Sequence, residues 1–285
     1  MRIPTALLLT LFCVLGLQLP MSAGDKKATP TNLGKVNTKF DEDDPFLLSG
    51  QVLLYASNQS GNWAIMKSVR KAGKWAAGKT IANLASKEAD YRSPFVARDG
   101  KLYFACNKVP DKKLADLKNF DIWVSTAGRE PLPLLGEGIS TQEDELHPWV
   151  TSAGKEFYFS RKTKDGWVLN IASGPVPGPI RDPKPVGFKP GFHHATLSAS
   201  GLIMFLQGPV EKDRTGLFRS KRAKVGAVWI KPEPLAMLNH PDGERGDMSP
   251  CLSADGKHLY FASDRPGGMG GLDLWSVEVS QLKMK

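Results

Sequence analysis

The 285-residue sequence has only three cysteines, one long apolar run and no helical periodicity that competes with its strand-like patterns. The apolar run extends from Ala6 to about Leu19, which is shorter than the roughly 20 residues that a membrane-spanning helix needs. No later run is long enough either, so stable membrane insertion is not expected. The basic residues are not interleaved with aromatic residues, which argues against a nucleic-acid partner.

The N-terminus has the three-part pattern of a secretory signal peptide. Arg2 precedes the apolar run, and the small residues 22–24 follow it. We therefore predict that residues 1–23 form a signal peptide, cleaved after residue 23 or 24, and that the mature protein is periplasmic or secreted. An uncleaved anchor is one alternative. A lipoprotein attached at Cys13 is another, although the bulky Phe12 before it disfavours that processing.

Charge and length set further bounds. The sequence contains 38 Lys and Arg against 29 Asp and Glu, a net charge of +9. These residues are scattered, apart from the run Arg219–Lys224, so ordinary solubility is favoured over binding to anionic polymers or membrane surfaces. The chain after the signal peptide is long enough for one large all-β domain. We expect a monomer without a cofactor.

Five segments of the chain repeat one pattern, in which a proline strand leads through a glycine turn to an apolar strand. The copies are DPFLLSGQVLLYAS, SPFVARDGKLYFAC, HPWVTSAGKEFYFS, HATLSASGLIMFLQ and SPCLSADGKHLYFA. They recur about every 50 residues, and two further strand-like segments follow each of the first four copies, a spacing and strand number typical of propeller blades. The repeat predicts an all-β, five-bladed β-propeller of four-stranded antiparallel blades.

The last copy lacks its fourth strand, and the N-terminus supplies a matching segment. TPTNLGKVNTKFDEDDP is similar to EPLAMLNHPDGERGDMSP, which precedes the fifth copy. We therefore predict that residues 24–40 add the closing strand to the last blade and that residues 41–285 form the propeller. Such closure removes exposed sheet edges. A sixth blade would need ~40–45 more residues.

The fifth copy, from Ser249 to Trp275, resembles the TolB-type β-propeller repeat, which is WD-repeat-like. The segment NLGKVNTKFDEDDPF also resembles the variant common in bacterial envelope proteins. The resemblance implies a recognition scaffold in the cell envelope, and so binding rather than a specific reaction. The glycines of PGGMGGLD are interpreted as a loop between strands, because a phosphate site would require a helix after them.

Ligands of propellers usually bind at one mouth of the central channel, near the loops that enter the innermost strands. The candidate ligand-binding residues are Glu42, Asp90, Glu145, His147, Trp149, His193, His194 and Asp247. Their types suit a divalent metal, a cationic ligand or a sugar. The alternative is that they cap turns and strand ends. A zinc site is disfavoured because His193 and His194 are adjacent and alternate faces in a strand.

The predicted function is non-catalytic binding of an envelope protein or polysaccharide, so the protein is expected not to be an enzyme. The alternative is a glycan-active hydrolase that uses carboxylates of the channel rim. Glycoside hydrolysis needs two carboxyl groups about 5–9.5 Å apart. Glu42, Glu145 and Asp247 are the candidates. No GxSxG motif stands in a strand-turn-helix context, which disfavours a serine triad.

The two cysteines outside the signal peptide are expected to be free thiols. Cys106 ends the second strand of blade two, and Cys251 lies in the innermost strand of blade five. These blades are not neighbours in a ring of five, so the Cα separation should exceed the ~7 Å limit for a disulfide. We therefore expect two buried, poorly reactive thiols.

Overall fold

The structure, a computed structural model, describes residues 27–109, 119–126, 129–134, 138–173, 180–211 and 213–282. The predicted signal peptide lies outside the described residues, and its assignment stays a prediction. Within the described ranges, no helix has the length and apolar character needed to cross a membrane.

The described strands form five antiparallel sheets, which are the five blades of a propeller. Blade one contains β2 (Glu42–Ser49), β3 (Val52–Ser57), β4 (Ala64–Lys71), β5 (Lys74–Trp75) and β6 (Lys79–Thr80). Blade two contains β7 (Tyr91–Val96), β8 (Leu102–Cys106), β9 (Asp121–Ser125) and β10 (Leu132–Pro133). Blade three contains β11 (Glu145–Val150), β12 (Glu156–Thr163), β13 (Gly166–Ser173) and β14 (Arg181–Pro185).

Blade four contains β15 (His193–Leu197), β16 (Ile203–Pro209), β17 (Thr215–Lys221) and β18 (Glu233–Pro234). Blade five contains β19 (Asp247–Leu252), β20 (His258–Ser263), β21 (Asp273–Glu278) and the N-terminal β1 (Thr31–Asn32). Among the described residues, Gly34–Val36 and Val279–Leu282 form 3₁₀ turns. The predicted fold class is confirmed, with one difference: in blade one two short strands, β5 and β6, both pair with β4.

The ring is closed by the N-terminal strand. Thr31 pairs with Ser276 and Asn32 pairs with Trp275, antiparallel to β21. Pairing of this strand with β21 gives the edge of the last blade a hydrogen-bonded partner, as the repeat pattern predicts.

The core lies between the blades. Because each sheet packs between two neighbours, the middle strands are buried on both faces. The second strand of every blade carries a fully buried aromatic side chain: Tyr55, Phe104, Phe159, Phe205 and Phe261. The alternating aromatic and aliphatic residues of the repeats therefore position the innermost strands rigidly around the central channel.

Cys106 and Cys251 are both free and buried, as predicted. Burial raises the pKa of the Cys106 thiol to about 11 and that of Cys251 to about 12, so neither is a thiolate at neutral pH. We expect a maleimide reagent to label neither thiol in the native protein and both in the denatured, unreduced protein. Mass spectrometry checks this result. A mass two hydrogens lower, with no labelling, would contradict the blade assignment.

Candidate functional site

The innermost strand of each blade contains a β-bulge at one equivalent position. The residue at that position has left-handed backbone, with φ between 50° and 56°. These five residues, which we call the channel ring, are Asp44, Ser93, His147, His194 and Ser249. Left-handed backbone is unfavourable outside glycine, and bulges redirect side chains. Five copies of the same bulge set the channel ring at one level.

Asp44 lies at the centre of the contacts within the channel ring. Its Oδ2 accepts hydrogen bonds from Arg92 Nε (3.0 Å), from the backbone N–H of Ser93 (3.1 Å) and from Ser93 Oγ (3.2 Å). Its Oδ1 lies 3.6 Å from His147 Nε2 and 3.7 Å from His194 Nδ1. One carboxylate oxygen is thus held by three donors, and the other faces two imidazoles.

The histidines divide into a stacked pair and a third ring that points elsewhere. The rings of His147 and His194 stack with centroids 3.7 Å apart. Burial lowers the pKa of His194 to about 3 and that of His147 well below its ordinary value, so both are neutral at pH 7. His193 instead lies 3.0 Å from the side-chain nitrogen of Gln207 and stacks on Trp167.

The mouth of the channel lies where the innermost strands begin, and charged and aromatic groups line it above the ring. The Arg92 guanidinium forms ion pairs with both Asp43 and Asp44 and lies 4.5 Å from the centroid of Trp63. Burial, and next the negative charge of Asp44, raise the pKa of the Asp43 carboxyl. Trp63 and Trp167 are half-buried. This end of the channel therefore combines the buried, ion-paired carboxyl group of Asp43 with partly exposed indole rings.

Below the channel ring, aromatic residues fill the channel. Trp149 packs against Phe95 with centroids 4.8 Å apart and against Phe46 at 6.2 Å, and Phe46 packs against Phe95 at 5.2 Å. A cavity of about 20 Å³ remains between these rings and the channel ring, on the scale of one water molecule or ion. Trp149 faces the channel, but its neighbours there are aromatic side chains.

Glu42 and Glu145 hold the loops that lead into their strands. The carboxylate of Glu42 accepts hydrogen bonds from the backbone N–H and the hydroxyl of Thr38, both at 2.7 Å. Glu145 accepts from the same two groups of Thr141 and from Arg161 Nε, at 2.7 Å. Both residues are completely buried, and their carboxylates are held by the loops that lead into their own strands.

Asp247 and Asp90 have comparable contacts. Asp247 accepts from the backbone N–H of His240 (2.8 Å) and from Arg265 Nη2 (2.6 Å). Asp90 accepts from the backbone N–H of Trp63 (2.8 Å) and so connects blade two to blade one. Of the eight predicted ligand-binding residues, the structure brings His147, His193 and His194 together, and Trp149 lines the cavity beside His147 and His194.

The expected site residues did not include Asp43, Arg92, Trp63 or Trp167, whereas Asp44 was one of the carboxylates expected near the channel rim. Asp44 could be recognised from its position, because it directly precedes Pro45, the proline that aligns among the copies. Residues at one position of a propeller repeat face one level of the channel, so the five of them form a ring. No position of the repeat marks Trp63 and Trp167 as site residues, because they lie outside the innermost strands.

Neither a protein-family model nor a curated relative matches the sequence. Similar solved structures include a GH62 hydrolase in complex with xylotriose, 10% identical with a TM-score of 0.62 over 90% of this chain and 98% of that one. Endo-arabinase from Bacteroides thetaiotaomicron is 14% identical, with a TM-score of 0.57 over 89% of this chain and 97% of that one. These likenesses establish the fold.

TolB from Acinetobacter baumannii is a more distant neighbour of this chain. It is 14% identical, with a TM-score of 0.46 over 81% of this chain and 52% of that one. The resemblance to TolB is therefore loose, and membership of the TolB-type repeat family is not established.

The expectation of a non-catalytic binding module that is not an enzyme is wrong in the light of these neighbours. Several structures that match most of the chain are glycoside hydrolases by name, and a glycan-active hydrolase is the alternative that the sequence left open. The regular repeats argued for a scaffold, but a repeat describes the blades and leaves the chemistry of the channel open.

Proposed function

We propose that this chain is a hydrolase that cleaves a polysaccharide at the mouth of the propeller channel. The observation that carries the proposal is the combination at the mouth of Asp43, whose pKa is raised, with the buried pair His147 and His194. Half-buried tryptophans stand beside them. Groups with perturbed pKa values in a concave site are the usual sign of acid-base chemistry.

Asp43 is the candidate general acid. Its raised pKa keeps the carboxyl group protonated closer to neutral pH than an exposed aspartic acid. A protonated carboxyl can donate its proton to the leaving-group oxygen of a glycosidic bond. Arg92 holds the side chain in place through its guanidinium.

The attacking water must be positioned by groups other than a second rim carboxylate. Asp43 and Asp44 are adjacent and share Arg92, so they cannot flank the bond about 5–9.5 Å apart, as the carboxyls of most glycosidases do. Glu42, Glu145 and Asp247 are engaged by their loops. This leaves Asp44, His147 and His194 as the groups that would orient the water.

A polysaccharide is the favoured substrate class because of Trp63 and Trp167. Their indole rings offer apolar faces beside polar groups, the combination on which sugar rings stack. The neighbours' names give further support, since one hydrolase was solved with xylotriose and another is an endo-arabinase. Arabinose- and xylose-containing polysaccharides are therefore the first substrates to test.

We expect the purified full chain to release reducing ends from at least one arabinose- or xylose-containing polysaccharide. Asp43→Asn should lower kcat/KM by about 100- to 10,000-fold, because it removes the proton donor. Asp99→Asn is the matched control, since Asp99 lies in an exposed turn of blade two, and its rate should stay unchanged. Equal melting temperatures of the two variants would show that both are folded.

Two results would contradict the proposal. The first is an absence of turnover on these polysaccharides and on peptidoglycan. The second is turnover that Asp43→Asn leaves at the wild-type rate, which would place the reaction elsewhere on the protein.

A further inference from the structure

We propose that Asp44, His147 and His194 bind a divalent transition-metal ion of the zinc type at the base of the channel mouth. The three residues come from blades one, three and four. Their candidate ligand atoms all lie within 4.8 Å of one another. A tetrahedral zinc ion with ligand distances of roughly 2.0–2.2 Å separates its ligands by about 3.3–3.6 Å.

Two of the three observed separations are close to that requirement. Asp44 Oδ1 lies 3.6 Å from His147 Nε2 and 3.7 Å from His194 Nδ1. Side-chain shifts, together with a rotation that unstacks the His147 and His194 rings, would bring all three atoms onto one ion. The cavity of about 20 Å³ beside them has room for it.

Unpaired buried atoms are the second observation that points to a ligand. Asp44 Oδ1 and His194 Nδ1 are buried, and within the described ranges neither has a hydrogen-bond partner. Buried polar atoms are nearly always paired, so these two require an unseen partner. Oδ2 of the same carboxylate has three donors, which orient Oδ1 toward the histidines as metal-ligating carboxylates are oriented.

The donor set selects the class of metal. Two imidazoles and one carboxylate suit zinc and neighbouring transition metals, whereas calcium takes six to eight oxygen ligands.

Three protein ligands leave a coordination position for water, the arrangement of catalytic rather than structural zinc sites. Such a metal lowers the pKa of its bound water to near 7 and makes it a nucleophile at neutral pH. This role rests on the proposed function. The binding of the metal rests only on the geometry of the three ligands.

Zinc binding by the full chain tests the site without reference to any substrate. After treatment with EDTA and removal of the chelator, we expect the wild-type chain to bind one Zn²⁺ per molecule in calorimetry and elemental analysis. His147→Ala and Asp44→Asn should weaken binding at least 100-fold. His258→Ala is the matched control, because His258 begins β20 and lies outside the site, and it should bind as the wild type does.

Co²⁺ gives a readout that needs no variant. A tetrahedral site with two nitrogens and one oxygen should give Co²⁺ an intense visible absorption, and Zn²⁺ should abolish it. A wild-type chain that binds no Zn²⁺ or Co²⁺ would overturn the assignment, and so would binding that survives His147→Ala. Metal binding without glycan hydrolysis would support this site and count against the proposed function. Glycan hydrolysis by a chain that binds no metal would overturn this site and support the proposed function.

Discussion

Arg222→Met is expected to lower the free energy of unfolding by about 3–5 kcal/mol. Arg222 donates two hydrogen bonds of 2.7 Å to the two carboxylate oxygens of Glu156 and one of 2.7 Å to the carbonyl of Gly201. Its side chain is 1% exposed and that of Glu156 is 9% exposed. Methionine would leave the buried carboxylate without its counter-ion, and urea unfolding measures the loss.

Arg219→Met is the matched control in the same blade. Arg219 also forms an ion pair, at 3.0 Å, but its partner Glu233 has a side chain that is 63% exposed. Water can solvate that carboxylate after the substitution, so loss of the ion pair should lower the free energy of unfolding by only about 0–1 kcal/mol. The double variant Arg222→Met/Glu156→Met should recover most of the stability, because it leaves no unpaired charge. Equal losses for the two arginine variants would contradict this account.

Removal of residues 27–39 is expected to abolish cooperative unfolding or to cause aggregation. The segment buries Leu33 and Val36, and burial of two such side chains contributes on the order of 3–6 kcal/mol. It also supplies β1, so its removal would leave β21 as an unpaired edge, and such edges promote association between chains. Differential scanning calorimetry and light scattering of the truncated chain measure both effects.

Asn37→Ala tests the contact between the N-terminal segment and β21 with a single substitution. The side-chain oxygen of Asn37 accepts from the backbone N–H of Leu274 (2.7 Å), and its amide nitrogen donates to the carbonyl of Leu274 (3.0 Å). Loss of both hydrogen bonds should lower the free energy of unfolding by about 1–3 kcal/mol, because the buried backbone groups of Leu274 lose a partner. Lys35→Ala, on the exposed side of the same turn, should have little effect. An unchanged melting curve for the truncated chain would show that the ring closes without this segment.

Much of the fold could be predicted because its signals are local. Pro45, Pro94, Pro148 and Pro250 mark four of the five innermost strands, and an alternating strand follows each glycine turn. A two-residue alternation and a turn depend on neighbouring residues only, so they are readable in one sequence. Repetition about every 50 residues then determines the number of blades, and the similarity of the N-terminal segment to the segment before Pro250 predicts the closing strand.

The candidate site depended on distances that the sequence does not contain. Glu42 and Glu145 have the residue types of catalytic carboxylates, but a threonine four residues earlier in the chain binds each of them. Whether a carboxylate is bound by its loop or free depends on which donors lie within hydrogen-bond distance. Residue type alone therefore could not separate these two from Asp43.

The sequence by itself determined the five blades, the order of their strands and the closing strand, because each depends on local patterns and their repetition. Only the tertiary structure decided that Asp44, His147 and His194 meet. These residues are far apart in the chain, and equivalent bulges with left-handed backbone turn them toward one level of the channel. Their burial leaves Asp44 Oδ1 and His194 Nδ1 without partners within the described part of the chain. That combination of convergence and desolvation arises only when the ring closes and excludes water from the channel.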